Sequence, residues 1–121
     1  MNIELAKRAV ACKRWQWMQG MLTTSEMRVV SVDYASLIVL DGEFDLVEIT
    51  DNKAMPDLDD PATLGCLLAL VREARSEPWY HPAALGDASD LLWVSAQPSH
   101  MCQTRYTTEA EALVAALEAA P

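Results

Sequence analysis

The residues best suited to chemistry come in two clusters of similar make-up. Trp15-Gln16-Trp17-Met18 follows directly on Lys13-Arg14, and Trp79-Tyr80-His81 follows a helix-like stretch that carries Arg72 and Arg75. Twice, cations precede a tryptophan at a helix-to-loop transition. Indole faces stack on a planar base, and guanidinium groups bind phosphate through paired hydrogen bonds, so this combination suits a planar anion. On that reading Arg14, Trp15 and Trp17 line a pocket for a phosphorylated nucleobase, with Trp79, Tyr80 and Arg105 as a second wall. Arg14 meets phosphate, the indoles stack the base, and Tyr80 offers its hydroxyl to the sugar or base. A second reading stands beside it. Tryptophans in a small domain are often core, and an extended Trp15-Gln16-Trp17 puts both indoles on one face, where they cover a sheet edge.

Other chemical groups are sparse. His100-x-Cys102 could join two metal ligands or pair a thiol with a base, yet no third partner stands at a recognisable spacing. Asp57-Leu58-Asp59-Asp60 lacks the glycine and distal glutamate of a calcium loop, and reads better as a solvated loop ending in a helix N-cap. The chain has no phosphate-loop, dinucleotide, nucleophile-elbow or zinc-protease motif. The sequence therefore predicts binding without catalysis, with no metal and no cofactor.

Charge narrows the partners. The chain has 121 residues, a formal charge of −9 and a pI near 4.5. Such a balance argues against nucleic-acid polymers and anionic membranes, where basic excess supplies most of the affinity. Residues 1–40 carry five cations against three anions, so the first helix is locally basic. Residues 41–60 carry eight carboxylates against Lys53 alone, a local −7. That segment could imitate nucleic acid toward a basic protein, which makes an acidic interaction protein the alternative to a nucleotide binder. No apolar run approaches the roughly 18 residues of a membrane span, and charges in MNIELAKRAV occupy the place of a signal peptide's apolar region. With three widely spaced cysteines, a cytoplasmic location is expected.

The elements that must position these groups can be read from periodicity. Helices are expected over Ile3 to Arg14, from an Asp60 N-cap and Pro61 through Arg75, and over Thr108 to Ala120. Leu64 to Val71 is apolar nearly all round, which predicts a central buried helix, and Gly65 suggests close approach of another backbone. MRVVSVDY, SLIVL and FDLVEI read as strands, with Asp41-Gly42-Glu43 as a hairpin turn. LLWVSA and MCQTRYT read as a second hairpin across Gln97 to His100, and WQWMQGML as extended with a bend at Gly20. The expectation is one α+β domain over residues 1–121. An antiparallel sheet of four to five strands packs on the central helix, with N- and C-terminal helices beside it. Val10, Leu64, Leu67, Leu68, Val71, Leu113 and Leu117 are expected in the core. A helix apolar on more faces than one small sheet covers further predicts a homodimer.

The blocks ELAKRAVAC, WQWMQGML, MPDLDDPATLGCLLALVREA and EAEALVAALEAAP resemble a group of short proteins encoded by tailed phages and prophages. They span about half the chain. Gln19 departs from the proline usual in the group's W-M-P-G-M-L, and Arg75 stands where the group often has a bulky residue. The resemblance implies an accessory protein acting against host defence in the host cytosol. It would do so by sequestering a nucleotide signal or by occluding a host defence protein.

Overall fold

The computed structural model describes residues 2–78, 80, 82–85, 92–95 and 104–120. Helix α1, Ile3–Ala11, starts where the Asn2 side chain accepts from the Leu5 amide at 3.0 Å. It buries Leu5, Ala6 and Ala9. The helix ends at Cys12, whose extended backbone turns Lys13 and Arg14 out of the predicted helix. The chain then runs without regular structure to Gly20, where φ is +98°, a conformation glycine adopts without steric cost. The bend expected there is present.

Three strands follow as an antiparallel meander: β1 (Arg28–Asp33), β2 (Ser36–Asp41) and β3 (Asp45–Thr50), in the order β1-β2-β3. Val29, Val39 and Val47 share one row, and Leu37 pairs Ile49, so one face of the sheet is apolar and turned to the core. A bulge between Val29 and Ser31 breaks the β1 register. The turn at Gly42, φ +75°, joins β2 and β3 as predicted. A 3-10 turn, Asp51–Lys53, leads on toward α2, Pro61–Ala74. A second meander, β4 (Ala83–Leu85), β5 (Leu92–Ser95) and β6 (Thr104–Tyr106), precedes α3, Glu109–Glu118. The connection predicted at Gln97 to His100 lies outside the described residues.

The α+β class holds, and its arrangement differs from expectation in two ways. Among the described residues there are two separate three-stranded sheets, not one of four to five strands. Each pairs only consecutive strands, and α2 with its flanking turns separates them along the chain. The central helix is α3, not α2. It contacts α1, α2, β5 and β6, and buries Ala110, Ala112, Leu113, Val114, Ala116 and Leu117. Alanines let neighbours approach α3 from several sides, whereas α2 buries only the face of Thr63, Leu67, Leu70, Val71 and Ala74.

On the other side of α2, Ala62, Gly65 and Ala69 are exposed, small enough that exposure forfeits little apolar burial. A Cβ at Gly65 would meet nothing within 4 Å, so no backbone packs there. Leu67, Val71, Leu113 and Leu117 are buried as predicted, while Val10, Leu64 and Leu68 are half-buried. Among the described residues no helix is long and apolar enough to cross a membrane.

Candidate functional site

The extended run after α1 brings two predicted residues together. Side chains two apart on an extended backbone leave on the same side. The Trp15 and Trp17 ring centroids are 5.5 Å apart at 84°, a T-shaped pair. Trp17 is 9% exposed and belongs to the core, against which half-buried Trp15 packs. The Trp15 Nε1 is buried with no hydrogen-bond partner among the described residues. Both indoles also line a cavity of about 330 Å³ with Val10, Ala54, Met55, Asp51 and Asn52. Core and cavity wall are thus both true of this pair.

Arg14 does not line that cavity. Because α1 ends at Cys12, exposed Arg14 lines a groove of about 600 Å³ with Arg8, Lys13, Cys12 and the end of α3. In that groove Arg8 grips Glu118 through two hydrogen bonds, 2.6 and 3.2 Å, a fork that joins α1 to α3. The same hydrogen bond raises the Arg8 pKa, which burial opposes. Burial also raises the pKa of the Cys12 thiol, whose Sγ donates to the Arg8 carbonyl.

Of the second predicted wall, Tyr80 is the residue whose side chain is described. Tyr80 is 1% exposed and sits in the core, with the Arg75 guanidinium 5.6 Å from its ring centre. Arg72 Nε donates to the Tyr80 carbonyl at 2.7 Å, and Arg75 donates to the Ala116 carbonyl at 3.3 Å. These cations bind the turn after α2 back onto the helices. Against the expectation that Tyr80 offers its hydroxyl to a ligand, its side chain is covered by protein here. Trp79, His81, His100 and Cys102 lie outside the described residues, as does the side chain of Arg105. Among the described residues no cluster of His, Cys, Asp and Glu could hold a metal ion.

An anchor missed by sequence reading joins the first meander to α2. Arg28 donates to Asp60 at 2.7 and 3.3 Å and to the Gly20 carbonyl at 3.0 Å. Asp60 also accepts from the Thr63 amide and hydroxyl, while Thr63 Oγ1 accepts from the Leu22 amide. The Arg28 hydrogen bond, more than the Thr63 contacts, holds the Asp60 carboxyl below its ordinary range against the opposing effect of burial. The N-cap motif identified Asp60 but carried no sign of a partner 32 residues away. Asp57 accepts from the Asp59 amide, so this acidic run is a turn and a cap, as its spacing implied.

The first meander carries a second candidate surface. Its turns and outer strands expose Tyr34 at 97%, Phe44 at 88% and Leu46 at 63%, with Val30 and Val32 also open. Phe44 and Leu46 stand at the β2–β3 end of the meander with exposed Asp41, Glu43 and Asp45, and Tyr34 at its opposite end with exposed Asp33 and Asp51, Glu48 lying along β3 between them. Asp41 and Asp45 are register partners, so two carboxylates stand opposite each other at the hairpin mouth. Like charges in that position cost stability. The composition showed the acidic excess, but only the structure shows that the apolar residues among it stay uncovered. Neither protein-family models, nor curated proteins, nor solved structures contain a match to this chain.

Proposed function

We propose that this chain is a non-catalytic interaction protein whose first meander occludes a basic surface on a partner protein. The observation that carries the reading is the exposure of Phe44 and Leu46 beside Asp41, Glu43 and Asp45 at one end of the meander. Exposed aromatics supply the desolvated anchors of an interface, and the surrounding charge steers an oppositely charged partner and selects it. The Asp41–Asp45 juxtaposition favours the same partner, since a cation placed between the strands relieves their repulsion. In the phage setting implied by the sequence resemblance, the partner is a host defence protein, and the acidic face takes the place of nucleic acid.

The test is capture from a bacterial lysate by the native chain and by a Phe44→Ser/Leu46→Ser double variant. A specific basic protein retained by the first and lost by the second, at unchanged melting temperature, is the expected result. Equal retention by both would refute the reading.

Sequestration of a nucleotide is the second reading, favoured by the basic groove of Arg8, Lys13 and Arg14. It has less support, because the indoles that would stack the base line a different cavity. Mass spectrometry of small molecules released by heating the protein tests it. A released nucleotide, with affinity lost in Arg14→Ala, would place this reading first.

A further inference from the structure

The cavity beside the tryptophans differs in chemistry from the one the sequence suggests. Its lining holds two indoles, the apolar side chains of Val10, Ala54 and Met55, one carboxylate and one amide, and no cation. A phosphate placed there would face Asp51 with no compensating charge. Asp51 and Asn52 are exposed on the 3-10 turn that closes the first meander, and no hydrogen bond ties either side chain to another described residue.

The indole geometry is the informative part. In an edge-to-face pair the ring that offers its edge keeps both π-faces clear of its partner, while the other ring's face is partly covered by that edge. Those faces are electron-rich and attract cations, tryptophan most strongly of the aromatic side chains. The Trp15 Nε1 is inaccessible to solvent, which leaves the ring's carbon surface as its contribution to the cavity. At about 330 Å³ the space lies at the small end of the range typical of ligand sites, roughly 300–1,000 Å³.

We infer that this cavity is a site for an organic ammonium group, held against the Trp15–Trp17 pair and neutralised by Asp51. The inference rests on the indole pair and not on the exposed meander, so it stands or falls separately from the proposed interaction. A methylated ammonium fits better than a primary one, because its methyl groups tolerate apolar walls and cost less to desolvate. Such a group is carried by a free quaternary amine or by a methylated lysine side chain.

The experiment is titration of the full chain with choline, trimethyllysine and 3,3-dimethylbutan-1-ol, the uncharged analogue of choline. Tryptophan fluorescence and amide NMR shifts are the readouts. Choline or trimethyllysine is expected to bind saturably, with shifts at Trp15, Trp17 and Asp51, and at least about tenfold tighter than the neutral alcohol. Whichever cation binds more tightly identifies the source. Asp51→Asn, on an exposed turn, should weaken the cations about threefold and leave the alcohol unchanged. Equal binding of alcohol and cation would show an apolar hollow and overturn the inference. Absence of saturation by either cation would overturn it too, as would inorganic phosphate or adenosine monophosphate shifting these residues instead.

Discussion

Helix α3 and the first meander use similar aliphatic side chains to opposite ends. In α3, Leu113, Val114 and Leu117 are covered, because α1, α2 and the second meander all reach that helix. In the meander, Leu37 and Val39 are fully buried, while Leu46, with Phe44 in the turn before it, stands open. Apolar character does not decide burial. What decides is whether another layer exists to cover the face, and β3 and the strand turns have none among the described residues. Uncovered apolar surface in a small domain is a reason to look for a partner.

The largest test of this contrast is a pair of truncations. Leu113→Ala should destabilise the fold by about 2–5 kcal/mol through loss of burial and a residual cavity. Leu46→Ala should change stability by no more than about 0.5 kcal/mol. Chemical denaturation of both variants gives the comparison, and similar losses would mean the meander is covered after all.

The anchor between the two regions comes next. Asp60→Ala removes an N-cap and the Arg28 partner, and should cost about 1–2 kcal/mol. Its acid behaviour follows from the lowered pKa of Asp60. A carboxyl stabilised in the folded state contributes fully above its unfolded pKa, near 3.9, and that contribution fades as pH falls through the lower folded value. Melting temperatures measured from pH 6 down to pH 2 should therefore fall less steeply in Asp60→Asn than in the native chain. Parallel curves would show that Arg28 does not hold the carboxylate in solution.

Smaller effects probe the meander itself. Ala35 occupies φ 63° in the turn between β1 and β2, a conformation that crowds its Cβ. Ala35→Gly should relieve this and raise stability by up to about 1 kcal/mol, read as a higher denaturation midpoint. Smaller again, Asp45→Thr should add a few tenths of a kcal/mol by removing the Asp41–Asp45 repulsion. In the interaction reading, the same variant should bind the partner more weakly. A variant that gains stability and loses binding would show that the carboxylate pair serves recognition.

Local signals in the sequence were reliable where neighbours a few residues apart do the work. Thr108 caps α3 by accepting from the Glu111 amide, Asp60 caps α2, and Gly42 turns the second hairpin of the first meander, all legible from spacing. The Glu111 carboxylate reaches back to Thr107, one residue before the position a capping box implies. The pairing of Trp15 with Trp17 was also legible, because an extended backbone places alternate side chains together.

Tertiary structure decided the rest. Nothing in the composition of Leu64–Val71 distinguishes a helix buried on all sides from one with a bare face of glycine and alanine, since small side chains tolerate either place. The separation of Arg14 from the indoles follows from where α1 stops, one residue before Cys12, and helix ends are set by contacts as much as by propensity. Arg28 and Asp60 meet because the chain folds the meander back beside α2, a contact across 32 residues that no periodicity encodes. By itself the sequence determined the α+β class, the caps, the hairpin turn of β2 and β3 and the local excess of charge, because each depends on neighbours along the chain. Which apolar face is covered, which helix is central and what lines each cavity depend on neighbours in space, and only the tertiary structure decided those.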